Sequence, residues 1–122
     1  MTRLVVVDDN PVFRKTLCSV LGREPDIQVV AEAADGRTAL EMVEAHAPDV
    51  ILVDVRLPIM DGFETTKAIA ARRPSTRVIV LSMFDDEETR AKAIAAGASG
   101  YFCKAGDMKH TLAAIKAGRC AA

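Results

Sequence analysis

The stretch LVVVDDNP, Leu4 to Pro11, runs an apolar strand straight into two adjacent aspartates and then into Asn-Pro. A continuous run of β-branched residues reads as a strand buried on both faces, the kind found inside a parallel sheet. Asn10 followed by Pro11 already supplies a helix cap and a first helical residue, so that turn does not require Asp8 or Asp9. Two carboxylates about 5 Å apart repel by roughly 3 kcal/mol at an effective dielectric near 20, a large fraction of a small domain's stability. A compensating partner is therefore expected.

The strand-then-helix unit that begins here recurs. Apolar runs suited to buried strands lie at Leu4 to Val7, Ile27 to Ala31, Val50 to Val53, Val78 to Leu81 and Tyr101 to Cys103. Amphipathic stretches follow each of them: Pro11 to Leu21, Gly36 to His46, Gly62 to Arg72, Asp86 to Ala96 and Met108 to Ala117. Gly22, Pro25, Pro48, Pro74 and Gly97 fall just past the expected helix ends, where breakers belong. Five βα units predict an α/β fold, a doubly wound (βα)5 parallel sheet with helices on both faces. The common strand order is 2-1-3-4-5, with the ligand site beyond the carboxyl ends of the strands.

Half of the 122 residues are hydrophobic, enough for one domain over residues 1–122. A net charge of -1 with scattered Lys and Arg leaves no electrostatic footprint for nucleic acid or an anionic membrane. No apolar run reaches the roughly 20 residues of a membrane span, and no signal-peptide pattern opens the chain, so a cytoplasmic location is expected. Cys18, Cys103 and Cys120 are odd in number and irregularly spaced, which reads as reduced thiols. His46 and His110 stand alone, as surface or helix-end residues do.

Most acids have a structural explanation. Asp35, Asp61 and Asp107 sit where N-caps belong, and Asp61 with Glu64 has capping-box spacing. Asp85 to Glu88 open the fourth helix, where the macrodipole favours negative charge. Asp26 and Asp49 precede strands two and three as turn residues. Asp8, Asp9 and Asp54 remain. They stand at the carboxyl ends of strands one and three, which are neighbours in the expected order. Such an acid-lined, oxygen-rich crevice suits Mg²⁺, or Mn²⁺, which keeps waters for a substrate phosphate. Ser82 after VIVL and Lys104 after YFC end strands at the same edge, where either alone would pass as a turn serine or a solvated lysine. Together with the acids they describe a phosphoryl-transfer site with an aspartate nucleophile.

These residues resemble the receiver domains of two-component response regulators, over Arg3 to about Ala117. VVDDNP resembles the acidic pair of that family, VDVRLPIMDG its phosphoacceptor loop, VIVLS its hydroxyl position, and GASGYFCK its switch aromatic and lysine. The resemblance implies that Asp54 is phosphorylated by a sensor kinase phosphohistidine, in a transfer catalysed by the receiver, which also hydrolyses the product slowly. It implies Mg²⁺ on Asp9, Asp54 and the Arg56 carbonyl, with Asp8 assisting through water. Ser82 and Lys104 would hold the phosphoryl group. Ser82 and Tyr101 would form the switch that changes the helix 4, strand 5 and helix 5 face. Arg56 and Phe84, two residues past Asp54 and Ser82, would flank the group and set water access. Ala105 replaces the proline of many receivers, and YFCKAG looks like the NarL/FixJ branch, whose members usually carry a LuxR-type helix-turn-helix output domain. That domain is not expected within these 122 residues. Implied partners are a cognate histidine kinase, a second copy on phosphorylation, and DNA only through such an output domain.

An excised transcription-factor receiver and a free-standing adaptor or phosphorelay protein both remain open. An aspartate-nucleophile phosphatase would want an acid two residues after Asp54, where Arg56 stands. A flavin-binding relative would want a hydroxyl- and glycine-rich loop after strand one, and DDNPVF is the opposite.

Overall fold

In a computed structural model, which describes residues 1–106 and 108–120, the strands are β1 (Thr2–Val7), β2 (Ile27–Ala33), β3 (Val50–Asp54), β4 (Arg77–Ser82) and β5 (Gly100–Cys103). They form one sheet in the order β2-β1-β3-β4-β5, with every neighbouring pair parallel. The expected architecture and strand order are therefore present. The helices are α1 (Pro11–Gly22), α2 (Gly36–His46), α3 (Gly62–Arg72), α4 (Glu87–Ala95) and α5 (Met108–Cys120).

Alternation along the strands divides the core in two. Leu4 and Val6 point to one face with Leu17 and Leu21 of α1 and Ile115 of α5. Val5 and Val7 point to the other with Ala39 and Val43 of α2, Ile69 of α3 and Ala93 of α4. The sheet is thus covered on both sides, as a parallel sheet must be. All five residues of β3 are buried, whereas α4 buries only Ala93.

Differences from the sequence reading are local. β2 extends two residues further, to Ala33, because Glu32 and Ala33 pair with Val6 and Val7; the register slips by one between Leu4/Val29 and Val5/Ala31, leaving Val30 as the extra residue of an edge strand. Gly22 is the last residue of α1 rather than the first beyond it. α2 ends on Ala47 in the left-handed region (φ 44°), ahead of the Pro48 that marked the stop. Asn10 caps α1 by accepting from the Val12 and Phe13 amides, and Asp35 and Asp61 cap α2 and α3 as expected. Asp86 occupies the cap position of α4 without a side-chain bond. The cap expected at Asp107 and the thiol of Cys120 lie outside the described residues. Cys18 and Cys103 are free thiols.

Register positions the site. Val7 lies opposite Val53, Asp54 opposite Leu81, and Ser82 opposite Cys103. The residues that end or follow four strands, Asp8, Asp54, Ser82 and Lys104, consequently emerge at one edge of the sheet. No helix among the described residues is long and apolar enough to cross a membrane.

Candidate functional site

Asp8 and Asp54 leave buried strands and stay buried themselves, at 2 % and 6 % exposure. Asp9 is exposed. One carboxylate oxygen from each of Asp8, Asp9 and Asp54 lies within 4.8 Å of the others. The donor set is all oxygen, formally triply negative and open to solvent at Asp9, which fits a hard divalent cation.

Of the adjacent acid pair, Asp8 has a protein partner in Lys104, which also reaches Asp54 but not Asp9. The lysine Nζ lies 2.6 Å from Asp8 and 3.0 Å from Asp54, with its side chain 7 % exposed. The ammonium also sits 4.5 Å from the centroid of the Phe13 ring. A backbone bond from the Lys104 amide to the Ser82 carbonyl (2.7 Å) fixes where the lysine departs from the sheet. Asp8 uses its second oxygen to accept from the Asn10 amide (2.9 Å), so it does serve the β1–α1 turn that Asn10 alone was expected to make.

Burial pushes the Asp54 carboxyl above the usual carboxylate range and Asp8 adds to the effect, although Lys104 and the Arg56 amide act to lower it. Burial opposes the Lys104 charge too, but hydrogen bonds to Asp8 and Asp54 outweigh it and hold this group above the ordinary lysine value. The lysine therefore stays a cation, while for Asp54 desolvation prevails over the ion pair.

Asp54, Asp9 and Lys104 open into a cavity of about 450 Å³ also lined by Arg56, Ser82 and Phe84. The Arg56 guanidinium stacks on the Phe84 ring, 5.2 Å from its centroid, at this mouth. Ser82 is buried, and its Oγ accepts from the Phe84 amide (3.1 Å). Tyr101 is also buried, and its hydroxyl donates to the Phe84 carbonyl. The ring therefore lies inward, with Ser82 still bound to the Phe84 amide. Arg90 of α4 covers the ring, 5.1 Å from its centroid.

Several contributors escaped the sequence reading, four of them around the cavity and its lysine. Thr89 and Lys92 bring α4 to the cavity, and Phe13 stacks on Lys104. At Gly62 a Cβ would come 2.3 Å from the Asp54 carbonyl oxygen. The glycine in MDGF was a visible signal for that close approach. The other three depend on contacts between elements distant in sequence.

A family model described as response regulator receiver domain matches residues 4–116. The chain is 40% identical over 114 residues to the transcriptional regulatory protein DegU of Brevibacillus brevis, covering 93% of this chain and 48% of DegU. The solved signal receiver domain of the putative response regulator NarL from Mycobacterium tuberculosis superposes with a TM-score of 0.87 at 37% identity, over 94% of this chain and 96% of that one. A LuxR-family two-component response regulator from Aurantimonas sp. SI85-9A1 gives 0.91 at 34% identity, over 96% and 84%. The chain spans about half the length of the curated relatives it matches.

Proposed function

Since this chain belongs to the response regulator receiver domain family, among relatives of the NarL and DegU type, we propose that Asp54 accepts a phosphoryl group from the phosphohistidine of a cognate sensor kinase. The observation that carries the reading is the Asp54 carboxylate, buried to its rim, facing the cavity with Lys104 at 3.0 Å and two further carboxylates grouped beside it. An Asp54 oxygen attacks phosphorus, the new P–O bond forms, and the P–N bond breaks with its electron pair going to the departing imidazole. Lys104 transfers a hydrogen bond from Asp54 to a phosphoryl oxygen, and the Ser82 hydroxyl donates to another. Asp8, Asp9, Asp54 and the Arg56 carbonyl would hold Mg²⁺ or Mn²⁺. When bound, that cation neutralises charge developing on the transferring group.

Water attack on phosphorus returns the free carboxylate. Arg56 and Phe84, stacked at the cavity mouth, govern the access of that water; Arg56→Ala and Phe84→Ala are expected to change the lifetime of phosphorylated Asp54 without preventing its formation. The Ser82 hydroxyl leaves the Phe84 amide on turning to the phosphoryl group, which disturbs the segment whose carbonyl holds Tyr101. Through that link the helix α4, strand β5 and helix α5 face reports the mark. In the whole protein this reading places a DNA-binding output domain under control of that face, with phosphorylation favouring a homodimer in the cytoplasm.

Incubation with a small acyl phosphate and Mg²⁺, followed by intact-mass measurement, tests the assignment. One phosphoryl group should be gained by the parent and none by Asp54→Asn. Equal gain in both proteins overturns it.

A further inference from the structure

Asp9 is the member of the acidic triad whose carboxylate makes no hydrogen bond or ion pair among the described residues, and it is exposed. Its placement therefore depends on the backbone that carries it. The Asp8 carbonyl and the Asp9 amide belong to one planar peptide unit, so whatever holds that carbonyl sets the direction in which Asp9 leaves the strand. Arg14 holds it: Nη1 donates to the Asp8 carbonyl oxygen at 2.7 Å. The same guanidinium donates from Nε to Glu32 of β2 at 3.1 Å, and the arginine side chain is only 19 % exposed. The Arg14 amide bonds the Asn10 carbonyl (2.9 Å) in the first turn of α1, which fixes the base of the side chain.

Every other polar atom of Asp8 is engaged by a different partner. Its amide donates to Ala33 of β2 (3.1 Å), and its carboxylate takes the Asn10 amide and Lys104. The carbonyl is held by Arg14 from within α1, one turn past the Asn10 cap that binds the carboxylate. Because Glu32 neutralises the guanidinium, the arginine contributes geometry to the acidic cluster more than field.

We infer that Arg14 is a positioning residue for the divalent cation site: by clamping the Asp8–Asp9 peptide between α1 and β2, it aims the Asp9 carboxylate at the oxygens of Asp8 and Asp54. This rests on the cation site proposed above. A clamp and a nearby positive charge make opposite predictions. Loss of a repelling charge tightens cation binding, whereas loss of a clamp loosens it, by about tenfold for a residue supporting metal ligands from behind.

Calorimetric titration of Mg²⁺ into the parent, Arg14→Met, Glu32→Gln and Asp9→Asn decides, with melting temperatures in metal-free buffer measured alongside. Arg14→Met should raise the Mg²⁺ dissociation constant about tenfold. Glu32→Gln retains an acceptor for Nε and should stay within about twofold of the parent. Should Arg14→Met fail to fold, Arg14→Gln is read by the same criterion. Parent-like or tighter Mg²⁺ binding in the arginine variant, even with a lowered melting temperature, overturns the role of Arg14 while leaving the cation site standing. A parent that binds no Mg²⁺, or binds it no better than Asp9→Asn, overturns the site and the clamp together.

Discussion

Replacing Lys104 by methionine removes the cation that, among the described residues, bridges Asp8 and Asp54. The gross attraction lost is large: at 2.6 and 3.0 Å, each contact amounts to roughly 6 kcal/mol at an effective dielectric of 20. Much of this is already offset by the desolvation of three nearly buried charges and by repulsion between the carboxylates. Breaking a buried ion pair by removing one partner leaves a net loss of about 3–5 kcal/mol, which is the expected destabilisation of the metal-free variant near pH 7.5. The sign of the pH dependence follows from the two titrations. The folded-state value of Lys104 is raised, so its contribution is complete at neutral pH and is lost only as pH rises through that value. Asp54 is raised as well. Its folded form holds more protons than the unfolded chain, so stability falls as pH climbs from the unfolded carboxylate value through the folded one. Without Lys104 that window moves upward, and acidification toward pH 5.5 should recover part of the deficit by protonating the carboxyl. Urea unfolding followed by circular dichroism at the two pH values measures both effects. A variant as stable as the parent at pH 7.5, or a deficit that does not shrink at pH 5.5, would refute the argument.

Three further outcomes are expected. Gly62→Ala drives a Cβ to 2.3 Å from the Asp54 carbonyl oxygen, and should lower the urea-unfolding stability by about 1–3 kcal/mol; an unchanged midpoint would mean that the loop yields freely. Ile59 holds φ at 71° although it is β-branched and 72% exposed, so Ile59→Gly should stabilise by about 1 kcal/mol, read as a higher melting temperature. Burial, with Glu32 adding to it, raises the Cys18 thiol to about 11, which leaves roughly one thiolate in a thousand at pH 8; iodoacetamide should modify it more than tenfold faster in urea than in the native protein, and equal rates would contradict the assignment.

The fold was legible because five apolar runs separated by amphipathic stretches and well-placed breakers admit few other arrangements. Asp8, Asp9 and Asp54 stood out because caps and dipoles explained the remaining acids and not these. Asp8 nonetheless has a structural role too, since its carboxylate both meets Lys104 and braces the Asn10 turn. Arg14 and Phe13 lie on a helix whose local pattern says only which face is apolar. Their roles come from a carbonyl six residues back, a glutamate on β2 and a lysine beyond β5. Ile59 was illegible for a different reason: a β-branched residue argues against the left-handed conformation it holds. The inward position of Tyr101 likewise depends on where the Phe84 carbonyl and Arg90 come to rest.

The contrast between a fully buried β3 and an α4 with a single buried residue has a consequence for local unfolding. Opening free energies within one domain run from near zero for lightly packed segments to the full unfolding value for central strands. Amide exchange from β3 should then require global unfolding, whereas α4 opens at much lower free energy. Asp54 rides on the segment that opens last, and the helix bearing Arg90 over Tyr101 on one that opens early. Shifting the population of α4 thus draws on a small share of the domain's stability, without loosening the strand that holds the acceptor.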